Sequence, residues 1–128
     1  PRRSRLPQRL DRERYLAEDH VVVSYNGDLR GVVEDALGLA RRVRVSVPTF
    51  HEVGAVVDGS RLLATVPEVV AREIRALRPH LATKKLPFEL EGTPMELLAP
   101  RALDDDDAVR FVRSHIVRIA TRYARRRR

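Results

Sequence analysis

The stretch RVRVSVPTFHEVGAVVDGSRLLATVP, ending at Pro67, constrains this chain more than any other part of it. Alternating valines make an extended strand that ends at Val47-Pro48 and turns at Thr49. Phe50, Val53, Val56 and Val57 then share one face of a helix, and Gly59 closes it. Leu62 to Val66 returns as a strand and stops at Pro67. Strand, helix and strand in so few residues are close to the minimum for a parallel crossover. Such a unit commits the chain to an α/β sheet, and ligands of open α/β sheets settle beyond the carboxyl ends of the strands.

The flanking segments extend the same alternation. Asp11 to Glu18 reads as a short helix capped by Asp11, with Tyr15 and Leu16 inward. His20 to Tyr25 is a run of β-branched residues ended by Asn26-Gly27, hence a strand and a turn. Gly31 to Leu39 is helical, with Val32, Val33, Ala36, Leu37 and Ala40 on one side and Asp28 placed to cap it. Past Pro67, Glu68 to Leu77 forms a helix whose inner stripe is Val69, Val70, Ile74 and Leu77. Leu81 to Leu90 is extended, and Pro87 assigns it to an edge or hinge. Met95 to Ala99 is a short apolar strand. Asp104 to Asp107 opens a long helix with Val109, Val112, Ile116, Ile119 or Ala120, and Tyr123 on one buried face. The expected organisation is a lead-in at 1–19, an α/β subdomain at 20–90, and a returning strand with a C-terminal helix and basic tail at 91–128.

Composition narrows the function classes. The 128 residues suit one domain or part of a larger one, and a first residue other than Met suits a piece of something longer. Without cysteine there is no disulfide framework and no thiolate metal site, which favours a reducing, cytoplasmic setting. No apolar run approaches the about 20 residues of a membrane span. The net charge of +7 raises nucleic acid as a partner, but the arginines crowd at the two ends. Arg2, Arg3 and Arg5 lie at one terminus, and Arg122 with Arg125 to Arg128 at the other. The middle is nearly balanced and the aromatics are not interleaved with the basic clusters, so solvated tails account for the charge better than a phosphate-contacting surface.

Candidate chemistry gathers at the strand ends. Thr49 can present its hydroxyl and the N–H groups that follow it to a small anionic group, and Phe50 can supply an apolar wall. Ser24 and Asn26 at the neighbouring strand end, with Thr65 before Pro67, can complete a polar rim. The plainer alternative is that Thr49 only caps its helix and Phe50 is core. His20, His51, His80 and His115 are dispersed without metal-ligand spacing, and His20 at a strand start reads as structural. Asp104 to Asp107 is explained by helix capping, because a cation loop would space its ligands. No cofactor loop, nucleophile elbow or zinc-protease pattern occurs, so neither a cofactor nor an enzymatic activity is expected.

The series HVVVSYNGDLRGVVEDAL, RRVRVSVPTFHEVGAVVDGSRLLATVP and LPFELEGTPMELLAPRALDDDDAVRFVRSHI resembles the effector-binding domain of LysR-type transcriptional regulators. A His-led strand, a Val-Pro-x-Phe corner and a Ser-x-Leu-x-Ala-x-x-Pro segment carry the likeness, in matching order from about Tyr15 to Ile119. The resemblance implies a periplasmic-binding-protein type II-like fold of two α/β subdomains with a small effector between them. Residues 20–90 would be the second subdomain, with a mainly parallel sheet, and Met95 to Arg128 the returning strand and C-terminal helix. It implies an effector site at Ser24, Tyr25, Thr49, Phe50, Val66 and Pro67. It further implies a small organic effector, a carboxylate or an aromatic, and a homodimer. DNA would be contacted only through a winged helix-turn-helix that has no counterpart in this chain. The competing reading is a basic nucleic-acid-binding domain built on the Arg-rich termini with Arg110, Arg113, Arg118 and Arg122. A small Rossmann-like enzyme is the third, and the residues it needs are missing.

Overall fold

A computed structural model describes residues 9–92 and 96–125, which fall into two compact units, Pro1–Gly92 and Thr93–Arg128. The first unit opens with α1 (Arg12–Ala17), and the Asp11 carboxylate caps it by accepting from the Arg14 amide at 2.8 Å. There follow β1 (Asp19–Val23), α2 (Val32–Leu37), β2 (Arg42–Val47), α3 (Phe50–Val57), β3 (Leu63–Ala64) and α4 (Glu68–Leu77). The three strands form one sheet in the order β2-β1-β3, and both pairs are parallel. The β2 to β3 crossover through α3 therefore steps past β1, as the opening motif requires.

Residues of β1 alternate between two faces. Val21 and Val23 join Val47, Val53, Val56, Val57, Leu62, Val66 and Ile74 in an apolar cluster under α3 and α4. Gly54 lets the two helices close: a Cβ there would lie 3.1 Å from Ile74 and from the Arg78 guanidinium. His20 and Val22 turn the other way, toward α1 and α2. That face buries Tyr15, Val33, Glu34 and Arg41 together with His20. Between His20 and Val21 the register slips, so β2 carries one extra residue there. The extra residue is Arg44, and it and Arg42 both reach the Asp19 carboxylate at 3.0 Å.

Several boundaries differ from the sequence reading for local reasons. α2 is a six-residue helix starting at Val32, and its cap is Gly31, not Asp28. Asp28 is spent on the turn, its amide donating to Ser24 Oγ at 3.0 Å, while Glu34 reaches back to the Gly31 amide at 2.8 Å. In so short a helix Val33 is buried, whereas Val32 and Ala36 face solvent. β3 is two residues long, because its ladder with β1 spans only Leu63 and Ala64. Leu77, placed on the inner stripe of α4, is 80% exposed where the helix runs past the sheet. Residues 81–90 make no ladder. Phe88 in that segment instead packs edge-on against Tyr15, with ring centroids 5.3 Å apart.

In the second unit Met95 lies outside the described residues, and 96–100 are not a strand, since no described strand offers them a ladder. Leu97, Leu98 and Ala99 lie beside Ala108, Val109, Val112 and Ile116 and line an apolar hollow of about 330 Å³. A 3₁₀ turn (Arg101–Leu103) leads into α5 (Asp107–Arg125). Asp106 caps α5 by accepting from the Val109 amide at 3.0 Å. The stripe expected to be buried on α5 is largely exposed, Val112, Ile116 and Ile119 included, because among the described residues of its own unit only the short 97–99 segment lies against it. The side chain of Tyr123 lies outside the described residues. No described helix is long and apolar enough to cross a membrane.

Candidate functional site

Parallel pairing brings four of the six residues singled out from the sequence to one place. Ser24 donates its amide to the Val47 carbonyl at 2.9 Å, one step past the end of β1. This bond sets the Ser24-Tyr25 turn beside the Val47-Pro48-Thr49 corner. Tyr25 stands out into solvent, 88% exposed, and Phe50 is 39% exposed at the first turn of α3. Val66 and Pro67 follow β3, on the other side of β1, at the same carboxyl end of the sheet. Val66 packs into the apolar cluster, and Pro67 is the N-cap of α4.

The polar groups at this end are largely engaged. Thr49 Oγ accepts from the His51 amide at 3.2 Å. It also donates to the Glu52 carboxylate, closing a reciprocal cap on α3. That hydrogen bond holds the Glu52 carboxyl below its ordinary range, so it is ionised at neutral pH. Thr49 is thus a helix cap, as the plainer alternative held, while Phe50 is half-open and not core. Ser24 Oγ accepts from the Asp28 amide, and Asn26 donates to the Asp28 carboxylate at 3.1 Å. Thr65, expected on the rim, instead turns its hydroxyl inward to Tyr15 at 2.7 Å.

That inward turn exposes what the sequence reading missed. The Arg41 guanidinium grips Glu34 with two bonds of 2.5 and 3.1 Å and donates to the Tyr15 hydroxyl at 2.5 Å. Tyr15, Glu34 and Arg41 are all buried beneath α1 and α2. Burial pushes the Glu34 carboxyl up, but bonds from Arg41 and the Gly31 amide outweigh it and hold the group below the usual range. His20 is buried alongside, its ring 4.7 Å from that of Tyr15, with Nε2–H donating to the Tyr15 carbonyl at 2.8 Å. Its Nδ1 has no partner among the described residues. Burial is the main cause that holds its pKa below 6.5, so the ring is neutral and structural. An acid on a short amphipathic helix and an arginine before a strand look like surface residues in a sequence. The sole hint was that Glu34 adjoins inward-facing Val33.

A cavity of about 940 Å³ lies elsewhere in this unit, between α3, β3, α4 and residues 80–86. Val66 lines it, while Ser24, Tyr25, Thr49, Phe50 and Pro67 do not. It opens along the flank of β3, where no described strand pairs. The strand-end corner and this cavity are therefore distinct places on the unit. No described cluster of three or more His, Asp or Glu side chains is placed to hold a metal ion. In the second unit Arg113 pairs with Asp104 at 3.0 Å and Arg110 with Asp107, which occupies two of the five arginines on α5.

Three parallel strands with helices on both faces, presenting short corners at one end, make an open α/β unit, the class of fold whose ligands bind beyond the carboxyl ends of the strands. Over 121 residues, 91% of its length, the chain is 28% identical to Nodulation protein D 1 of Mesorhizobium japonicum and spans 38% of that protein. The regulatory domain of MexT, a transcriptional activator in Pseudomonas aeruginosa, matches 84% of the chain with a TM-score of 0.65 and 32% identity. The chain spans 55% of that solved domain. No family model matches it. With the motif order set out above, these likenesses support the reading of the chain as a fragment of a LysR-type regulatory domain. They lend no support to the nucleic-acid-binding alternative.

Proposed function

We propose that this chain is the effector-sensing portion of a LysR-type transcriptional regulator, binding a small organic molecule at the corner made by Ser24, Tyr25, Thr49 and Phe50, with Val66 and Pro67 at its far side. The observation that carries the reading is the Ser24 to Val47 hydrogen bond, which makes one rim of two strand ends. Both exposed aromatic rings on that rim, Tyr25 and Phe50, offer a stacking surface. Of the two effector chemistries considered, the neutral aromatic fits better than the carboxylate. Glu52 already holds a negative charge at the first turn of α3, where an effector carboxylate would be drawn. The intact regulator is a cytoplasmic homodimer that touches DNA through a segment outside this chain.

Calorimetric titration of a full-length version with paired small aromatics, one neutral and one carboxylate, tests this. Thr49→Ala and Phe50→Ala should each weaken effector binding. Unaltered binding in both variants removes the site assignment and leaves the family membership standing.

A further inference from the structure

The Ser24 to Val47 bond joins the Ser24 and Thr49 corners of the proposed site, but sheet pairing does not hold its Val66-Pro67 corner or the start of α2. Ladder pairing between β1 and β3 ends at Ala64, one residue before Thr65 and the Val66-Pro67 corner. After β1, the chain runs through seven ladder-free residues from Ser24 to Arg30 before Gly31 starts the α2 corner. Each of these two corners is instead tied to the same buried polar cluster. The Gly31 amide donates to Glu34 Oε2 at 2.8 Å. Glu34 is gripped by Arg41, Arg41 donates to the Tyr15 hydroxyl, and that hydroxyl shares a hydrogen bond with the Thr65 hydroxyl at 2.7 Å. Arg41 also points a weaker bond at Thr65 Oγ, at 3.4 Å.

Stability alone does not explain an ionic pair in this place. The opposite face of the same sheet is filled by Val21, Val47 and Val53, and apolar side chains of similar volume often match or exceed a buried ion pair in stabilising a core. What hydrogen bonds add is direction and fixed length, which apolar packing lacks. We infer that Tyr15, Glu34 and Arg41 are positioning residues, a buried clamp that fixes the Gly31 corner after β1 against the Thr65 to Pro67 corner after β3 and so preorganises the rim. The functional meaning rests on the proposed effector site, but the clamp itself is a claim about two corners and needs no ligand. Preorganisation of this kind raises affinity by removing the ordering cost from binding.

Amide hydrogen exchange of the ¹⁵N-labelled chain tests it with substitutions mild enough to fold. Thr65→Val keeps the shape and removes the hydroxyl, Tyr15→Phe removes the linking hydroxyl, and Thr65→Ser restores it without the methyl group. In Thr65→Val and Tyr15→Phe the Gly31 amide should exchange about fivefold faster, the loss of roughly one net hydrogen bond in its local protection. Thr65→Ser should return it to the wild-type rate. Val21 and Val22 amides in β1 report opening of the whole sheet and serve as the reference. Acceleration at those β1 amides with Gly31 unchanged, equal acceleration everywhere, or no rescue by serine would each overturn the clamp and leave ordinary core stability. If the exchange pattern holds while Thr49→Ala and Phe50→Ala bind normally, the clamp stands and the proposed site falls.

Discussion

Replacing Arg41 by methionine would remove the one cation that compensates a carboxylate whose side chain is 1% exposed. In the native chain Glu34 receives two bonds from Arg41 and one from the Gly31 amide. After Arg41→Met the carboxylate keeps backbone amide partners but no counter-charge, and the Tyr15 hydroxyl loses the Arg41 donor as well. Breaking one partner of a buried ion pair costs about 3–5 kcal/mol, because the surviving charge stays out of water. A domain of this size has a total stability of about 5–15 kcal/mol, so the single variant should lose a large part of it. Adding Glu34→Gln removes the stranded charge and keeps an acceptor for Gly31. The double variant should therefore recover at least about 2 kcal/mol of the loss. Urea unfolding followed by far-UV circular dichroism gives both numbers, and the double variant keeps the comparison measurable if the single one unfolds. A double variant no more stable than Arg41→Met would show that Glu34 is not stranded, and the burial argument would be wrong.

Further expectations follow from the same geometry. His20 is held neutral by burial, with its pKa below 6.5 in the folded chain, so the unfolded state binds more protons and stability falls as pH drops below about 6.5. The unfolding free energy from urea titrations between pH 7.5 and 5.5 should fall by up to about 1.4 kcal/mol per pH unit in the wild type and less steeply in His20→Gln, and parallel profiles would refute this. Gly54→Val should cost about 1–3 kcal/mol, since even a Cβ would sit 3.1 Å from Ile74 and Arg78, with an unshifted thermal midpoint as the contrary result. Leu77→Lys should stay within about 0.5 kcal/mol of wild type, because the side chain is 80% exposed, whereas a Leu77 on the inner stripe would cost several times more. Glu52→Gln should raise affinity for an aromatic carboxylate several-fold relative to its neutral counterpart by calorimetry, and an unchanged ratio would remove Glu52 as a discriminator.

The alternation of valines and the placement of Gly59 and Pro67 carried the fold in the sequence itself. Local periodicity settles which segments are strands and helices, and the short crossovers leave little choice but parallel pairing. β2 ends and α4 begins and ends where expected, and the family likeness was readable from motif order alone. The corner at Thr49 was legible for the same reason, as a strand end followed by a capping residue. Sequence could not say which faces are covered, because burial depends on neighbours that periodicity does not name. Hence Leu77 and the α5 stripe were assigned inward and stand in solvent. Nor could it separate Glu34 and Arg41 from surface charges, for only the crossing of α1, α2 and β3 removes them from water and makes each the other's partner. Thr65 changed role on that same ground, from a rim hydroxyl to the end of a buried chain of hydrogen bonds, once Tyr15 came within 2.7 Å of it.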